Sequence, residues 1–337
     1  MNYVWAILGF GLLIIVHELG HFTLAKLNGV KVVEFSIGMG PKIFSHQGKE
    51  TKYTLALLPI GGFVNMLGEE EEVAAEGSFS SKSPLRRISI IVAGALMNFL
   101  LAIVIFTAFF CNFGFKSTEL SAIVPDGAIA EVGLLPGDKI VKIDGSKVFT
   151  FDDISVGTTL AKGNEMTLTY KRDGEVNEAK IKPQFIEDEN RYAIGGYFTP
   201  VENPTIMQGF TQSFKQTGTL ISQTFKSFKM IFTGEANLKT DVGGPVTIIK
   251  MSAGAAKMGA WNLLYLVAFL SVSIAIFNLL PFPALDGGWT VILLIELITR
   301  RKVPDKVVGV LNTVGFMLLI GLMVLVTIKD IIFPMSF

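Results

Sequence analysis

His17-Glu18-Leu19-Gly20-His21 follows a stretch, Tyr3 to Val16, in which no side chain is charged. Ionisable groups are expensive to bury in such a segment and mark function where they occur. On a helix the two histidines stand at i and i+4, so both imidazoles leave from one face. The pattern predicts a helix through the motif, with His17 and His21 as two zinc ligands and Glu18 beside them as general base. A polar cluster that ties helices together is the alternative reading of the same five residues. At a rise of about 1.5 Å per residue, Glu18 stands roughly 22 Å along the helix from Tyr3, and Lys26 roughly 12 Å beyond Glu18. The motif therefore lies below the membrane surface, toward the Lys26 side.

The composition fits a membrane protein. Half of the 337 residues are hydrophobic and 17% are charged, with a mean hydropathy of +0.52; a soluble domain is about a quarter charged. The 29 basic and 29 acidic residues balance, which argues against nucleic acid as a partner. A single cysteine, Cys111, excludes an internal disulfide framework and a cysteine-rich zinc site; it reads as apolar packing. Of the three histidines, His46 lies outside the motif, in Gly40-Pro-Lys-Ile-Phe-Ser-His-Gln-Gly-Lys-Glu50, which reads as a polar surface loop. The N-terminus lacks a basic region and a small-residue cleavage site, so it reads as a retained span.

Four segments are long and apolar enough to cross a bilayer, which takes about 20 helical residues: Tyr3–Ala25, Ile88–Phe110, Trp261–Thr299 and Val307–Ile328. The third is too long for one simple helix. Pro281-Phe-Pro-Ala-Leu-Asp-Gly-Gly288 interrupts it with residues that break helices. A broken helix at membrane depth is tolerated where it lines a buried or wet cavity, so a site is expected at Asp286. Lysine and arginine concentrate between the first two spans (Lys26, Lys31, Lys42, Lys49, Lys52, Lys82, Arg86, Arg87) and before the last (Arg300, Arg301, Lys302, Lys306). Both loops read as cytoplasmic, which puts the N-terminus, the region between spans two and three and the C-terminus outside. The acidic run Glu69–Glu72 contributes little to this rule and reads as a solvated loop.

The first cytoplasmic loop carries strand signals. Lys31–Ile37 alternates and is β-branched before a turn at Gly38-Met39-Gly40-Pro41, and Lys52–Leu58 alternates before Pro59-Ile60-Gly61-Gly62-Phe63-Val64. These strands read either as a sheet that dips into the bilayer and accepts substrate as an added strand, or as a small meander with no such role. From Lys116 to Tyr197 the composition turns soluble, with short strands between turns such as Pro136-Gly137-Asp138, Asp144-Gly145 and Arg172-Asp173-Gly174. Phe210, Phe214, Ile221, Phe225, Phe228 and Phe232 then recur at helical spacing, which predicts an amphipathic helix. Its aromatic face suits the membrane interface, and packing on the soluble domain is the other reading.

A hydrolytic zinc site takes three protein ligands and one open position. HExxH supplies two, and Asp286 is the candidate third. Its alternative is an N-cap for a helix starting at Trp289, which leaves the two prolines and two glycines unexplained. Asn278, on the same span, is either an oxyanion donor or a helix-to-helix hydrogen bond.

These motifs together resemble the site-2 protease family, and more narrowly the bacterial RseP-type regulated intramembrane zinc metalloproteases. The resemblance rests on HELGH, on Asn278-Leu-Leu-Pro-Phe-Pro-Ala-Leu-Asp-Gly-Gly288, and on an insert that resembles one PDZ domain. The insert matches at Gly127-Ala-Ile-Ala130, Gly133-Leu-Leu-Pro-Gly-Asp-Lys-Ile140 and Ile143-Asp-Gly145. Further matches are Phe35–Pro41, Gly61–Val64, Ala93-Gly94 with Met97-Asn98-Phe99, and Gly243-Gly-Pro-Val246. Two features depart from the pattern: there is room for one PDZ-like domain where the Gram-negative branch has two, and Ala95 stands where proline is common. The resemblance implies a zinc endopeptidase with ligands His17, His21 and Asp286 and base Glu18. It also implies that Asn278 and Gly61, Gly62, Phe63 and Val64 contact an unwound substrate. Implied substrates are single-span membrane proteins such as anti-sigma factors, or leftover signal peptides, within a bacterial cytoplasmic membrane. An adaptor that gathers partners has no use for buried HExxH and Asp286, and a transporter is expected to show internal repeats.

The expected architecture is a polytopic α-helical membrane protein of about four spans, with a membrane-associated β-region and an inserted β-rich PDZ-like domain. The boundaries are 1–112 for spans one and two with the β-loop, 113–200 for the extracytoplasmic insert, 201–260 for the amphipathic region and 261–337 for spans three and four. Oligomeric state is not legible in the sequence.

Overall fold

The computed structural model describes residues 2–69, 75–239 and 241–334. Of the acidic run Glu69–Glu72, all but Glu69 lies outside them. Two compact units are present: residues 1–102 with 227–337, and residues 103–226.

The first unit opens with helix α1 (Asn2–Leu27), which carries HELGH in its second half. Gly29, at φ +65°, stops it in the left-handed conformation that glycine adopts freely. Strands β1 (Val32–Gln47) and β2 (Lys52–Met66) follow as an antiparallel pair. Helix α2 (Pro84–Phe113) starts with proline at its first position and is followed by Gly114 at φ +71°, the usual asymmetry of helix ends.

The β1–β2 pairing is more elaborate than two short strands. Residues 34–37 pair with 62–65 on one side and with 52–55 on the other, while 42–47 pair with 52–56. Four segments thus lie side by side, and 62–66 has a partner on one side only among the described residues. The expected turn at Gly38–Pro41 is a bend instead: Gly38 (φ +85°) and Gly40 (φ +87°) break the register, and the strand continues to Gln47. His46 therefore lies in a strand, opposite Tyr53, and not in a loop, although it is exposed.

The second unit holds most of the inserted region: β3 (Phe115–Ile123), α3 (Ala128–Glu131), β4 (Lys139–Ile143), β5 (Ser146–Lys147), α4 (Phe151–Ala161), β6 (Met166–Arg172), β7 (Glu175–Ile181), β8 (Gln184–Ile186), β9 (Arg191–Ala193) and β10 (Gly196–Val201). The main sheet runs β10-β3-β4-β6-β7, with β5 paired to β4. Leu120, Ile129, Ile140, Ile154, Met166 and Leu168 are wholly buried against it. Asp138 closes the Pro136-Gly137-Asp138 turn. It accepts hydrogen bonds from the Leu135 N–H (2.8 Å) and from Arg172 Nε (2.7 Å) and Nη2 (2.6 Å).

Helix α5 (Ile206–Thr233) is inverted relative to a water-soluble helix. Its Gln212, Ser213, Gln216, Thr217 and Thr219 are buried, whereas Phe210, Phe214, Phe225 and Phe232 are exposed. The buried polar groups are satisfied: Gln216 Nε2 donates to Asp152 (2.8 Å) and Thr219 Oγ1 to Asp153 (2.7 Å). The polar face therefore serves packing, and these aromatic side chains are left outward.

The chain ends with α6 (Pro245–Met258), α7 (Ala260–Leu279), α8 (Asp286–Thr299) and α9 (Asp305–Ile332). The long third segment is thus two helices, broken at 280–285. Among the described residues, four helices are long and apolar enough to cross a membrane: Val4–Leu27, Pro84–Phe113, Ala260–Leu279 and Asp305–Ile332. On α9, Met317 is 64% and Leu325 67% exposed. A helix apolar on its exposed side faces lipid rather than water.

Candidate metal centre

Three helices bring the site together, and glycines let them approach. A Cβ on Gly20 of α1 would run into the Ala93 carbonyl of α2. A Cβ on Gly94 of α2 would lie against the rings of both His17 and His21. Asp286 enters from the broken helix. The loop before it doubles back so tightly that a Cβ on Gly287 or Gly288 would strike backbone at Leu279–Leu280 or Phe282–Pro283. Helix α9 braces that loop. Gly315 leaves room for Pro283, and Asn312 Oδ1 accepts the N–H of Ala284 (3.2 Å), which is held at φ +70°.

Asp286 is the first residue of α8, and the cap position is Leu285. The carboxylate is therefore not an N-cap. Its Oδ2 lies 3.2 Å from His17 Nε2 and 3.6 Å from His21 Nε2, and the two Nε2 atoms are 3.1 Å apart. Tetrahedral ligands at about 2.0–2.1 Å from zinc stand about 3.3 Å from one another. The three atoms thus have the spacing of one face of such a site. Asp286 Oδ2 is also buried and accepts no hydrogen bond. A buried carboxylate oxygen without a donor is costly, and a cation between it and two imidazoles removes that cost. The donor set, two nitrogens and an oxygen, suits zinc. Among the described residues this is the group of histidine and carboxylate side chains close enough to hold a metal ion.

His17, His21 and Asp286 border a cavity of about 250 Å³ whose wall also includes Glu18, Gly62, Phe63, Val64 and Trp289. Gly62 is pressed against Glu18: a Cβ there would stand 3.1 Å from Glu18 Cγ. The one-sided segment of β2 therefore runs along the cavity beside Glu18. A larger cavity of about 600 Å³ shares Phe63, Val64, Glu69 and Trp289 with it and continues to Asp305 and Asn312. Of the other residues singled out in the sequence, Gly61 lies against Met39. Asn278 occupies the last turn of α7, half-buried, and is not on the cavity wall.

Sequence reasoning gave no role to four groups that shape the centre. Gly94 and Asn98 sit on α2 against the histidines. Arg87 and Glu296 form a buried ion pair between α2 and α8, and Glu296 Oε1 also accepts the Val303 N–H at 3.2 Å. For Gly94, Asn98 and Glu296 the available signal was a small or polar residue inside an otherwise apolar helix, whereas Arg87 stands beside Arg86 in the first turn of α2.

Residues 5–322 match the model of peptidase family M50. A protein of Clostridium perfringens named for a zinc metalloprotease is 53% identical over 334 residues, covering 99% of both chains. One from Clostridium acetobutylicum with the same kind of name is 44% identical, over 100% of this chain and 99% of its own. One from Enterococcus faecalis named for a protease is 31% identical, over 96% and 97%. Among solved structures, the PDZ domain of an SdrC-like protein from Listeria monocytogenes aligns with a TM-score of 0.23 and 22% identity, over 25% of this chain and 90% of that one.

Proposed function

The chain belongs to peptidase family M50, and from that premise we propose which residues perform its chemistry, on what substrate and at what depth. The activity is that of a site-2-type intramembrane zinc metalloprotease acting on membrane substrates. His17, His21 and Asp286 are the zinc ligands, a reading carried by the convergence of their three donor atoms within 3.6 Å around an oxygen that lacks any other partner. A zinc ion held by these three residues would lower the pKa of a water and polarise the scissile carbonyl. Glu18 takes the proton of the attacking water and delivers it to the leaving amine. Its place on the same cavity wall as the ligands supports that role.

The substrate is a transmembrane segment of a single-span protein, such as an anti-sigma factor or a remnant signal peptide. It lies as an extended strand along Gly61, Gly62, Phe63 and Val64, because a segment paired on one side can accept a further strand. Asn278, a half-buried amide with no hydrogen bond among the described residues, is assigned to the same substrate. The partners are this substrate and the bilayer, with no nucleic acid.

The protein resides in the bacterial cytoplasmic membrane, with both termini outside and the centre toward the cytoplasmic side. The positions of Lys26, Arg86, Arg87 and Arg300–Lys302 support that orientation. Residues 1–112 and 261–337 form the catalytic membrane part, 113–200 the extracytoplasmic PDZ-like domain and 201–260 the interfacial region, whose outward aromatics on α5 favour a place at the membrane surface.

Glu18→Gln tests the chemistry. The purified variant is expected to keep its zinc and to cleave a single-span model substrate about 10²–10⁴-fold more slowly. Undiminished cleavage would remove Glu18 as the base. Labelling of terminal tags from the outer face tests the topology, and protection of both would reverse it.

A further inference from the structure

The two histidines of the motif are held differently. His21 Nδ1 lies 2.9 Å from the carbonyl oxygen of Ile90. A carbonyl only accepts, so the His21 proton sits on Nδ1 and Nε2 keeps its lone pair for a metal. His17 Nδ1 has a different neighbour, the amide of Asn98, whose Nδ2 is 3.4 Å away. Asn98 is wholly buried, and its Oδ1 has no hydrogen-bond partner. The Ser271 hydroxyl of α7 donates to the Asn98 backbone carbonyl (2.8 Å), so α7 also holds this turn of α2.

For His17 to offer its Nε2 lone pair, its proton must be on Nδ1, and that N–H needs an acceptor. The acceptor without a partner is on the adjacent amide. The two ends of an asparagine side chain are nearly equal in shape, so a half-turn about Cβ–Cγ exchanges them without disturbing the packing. That single rotation gives Oδ1 a donor and the ring N–H an acceptor, and it moves Nδ2 to the side where Oδ1 now has no partner. With Nδ2 toward the ring instead, the proton sits on Nε2 and points to Asp286 Oδ2, 3.2 Å away. The two amide orientations thus correspond to the two tautomers of His17, and only one of them binds a metal.

We infer that Asn98 is a positioning residue: its Oδ1 accepts the Nδ1–H of His17 and selects the tautomer that binds zinc. The inference rests on the reading of His17 as a ligand. A purely structural amide that glues α2 to α1 would act on packing alone, and metal affinity separates the two roles.

The test uses full-length protein in detergent, with zinc affinity measured by competition against a chelator and site geometry by the visible absorption of the cobalt-substituted form. Asn98→Asp keeps an acceptor at this position; Asn98→Leu keeps the size and removes it. Loss of an outer partner of a zinc-bound histidine costs about 10- to 100-fold in affinity. Asn98→Leu is expected to show that loss, and Asn98→Asp to bind about as tightly as the unaltered chain, with its tetrahedral cobalt spectrum retained. Equal loss in both variants, or none in Asn98→Leu, would overturn the role. A second measurement needs no variant at this position: ¹⁵N spectra of the zinc-loaded, histidine-labelled protein report whether His17 Nδ1 carries a proton. A bare Nδ1 overturns the inference alone, whereas an unaltered chain that binds no zinc removes the ligand reading together with it.

Discussion

Asp286 Oδ2 stands 3.2 Å from His17 Nε2 and accepts no hydrogen bond, although it is buried. Two parts of the chain remote in sequence thus meet through atoms that both offer lone pairs when the histidine is in its metal-binding tautomer. Such a contact is repulsive or strained until a cation lies between them, so the geometry is that of a ligand set.

The first prediction follows directly. Asp286→Asn exchanges a carboxylate for a neutral amide of the same shape. Loss of an outer-sphere partner costs about 10- to 100-fold in metal affinity, so loss of a direct ligand is expected to exceed about 100-fold. Zinc competition on the purified protein measures it. Full affinity in the variant would leave Asp286 without a metal role.

A second prediction concerns Gly94. Its missing Cβ would lie against both imidazoles, where an added methyl group competes with the metal for space. Glycine-to-alanine changes inside helices normally stabilise by roughly 0.5–1 kcal/mol. Gly94→Ala gains that helix preference but forces both rings to shift, so it is expected to lower zinc affinity with a thermal stability no higher than that of the unaltered chain. A variant that binds zinc normally would show that the rings can retreat from the methyl group.

Much of this centre was legible in advance because it depends on spacing along one element. HELGH at i and i+4 on an apolar helix fixes two donors on one face, and Pro281, Pro283, Gly287 and Gly288 announce the break that delivers Asp286. The soluble character of the insert and the aromatic period of α5 were equally local signals. The remainder depends on what faces what. Gly38–Pro41 reads as a turn by composition, but pairing with 52–55 and 62–65 carries the strand through it with a bend. The orphan Oδ1 of Asn98 has meaning only beside the His17 ring. The Arg87–Glu296 pair joins helices that no local pattern connects.

A third prediction lies in the inserted domain, outside the four candidate spans. Burial alone would raise the pKa of Asp138, but the Arg172 guanidinium and the Leu135 N–H more than offset it and hold the carboxyl below its ordinary value. A depressed folded pKa stabilises above the unfolded value of about 3.9, and that contribution is lost as the pH falls through the lower, folded value. Asp138→Asn is expected to cost about 1–2 kcal/mol near neutral pH, allowing for the exposed part of Arg172. The penalty should shrink as the medium is acidified. Pulse proteolysis of the full-length chain across the acid range reads this, and a penalty independent of pH would show that the ion pair contributes nothing.

The last prediction explains Gly243-Gly244-Pro245-Val246. Gly244 is the cap residue of α6 and has no side chain to cap with. Asp330 of α9 supplies the missing acceptor: its Oδ2 takes the Thr247 N–H at 2.9 Å and the Gly244 N–H at 3.0 Å. Thr247 is the third residue of the helix, the N–H that a local cap would satisfy. A Cβ on Gly244 would collide with Val326 and crowd the Asp330 carboxylate, so a cap side chain cannot be restored at position 244. Asp330→Ala is therefore expected to cost the start of α6 about 0.5–2 kcal/mol. Amide hydrogen exchange at 246–249 should quicken by roughly two- to thirtyfold, the same energy expressed as an opening equilibrium. A compensating Gly244→Ser should fail to slow it, because the serine side chain has no room. Rescue by that second change would show that α6 and α9 separate easily enough for α6 to cap itself.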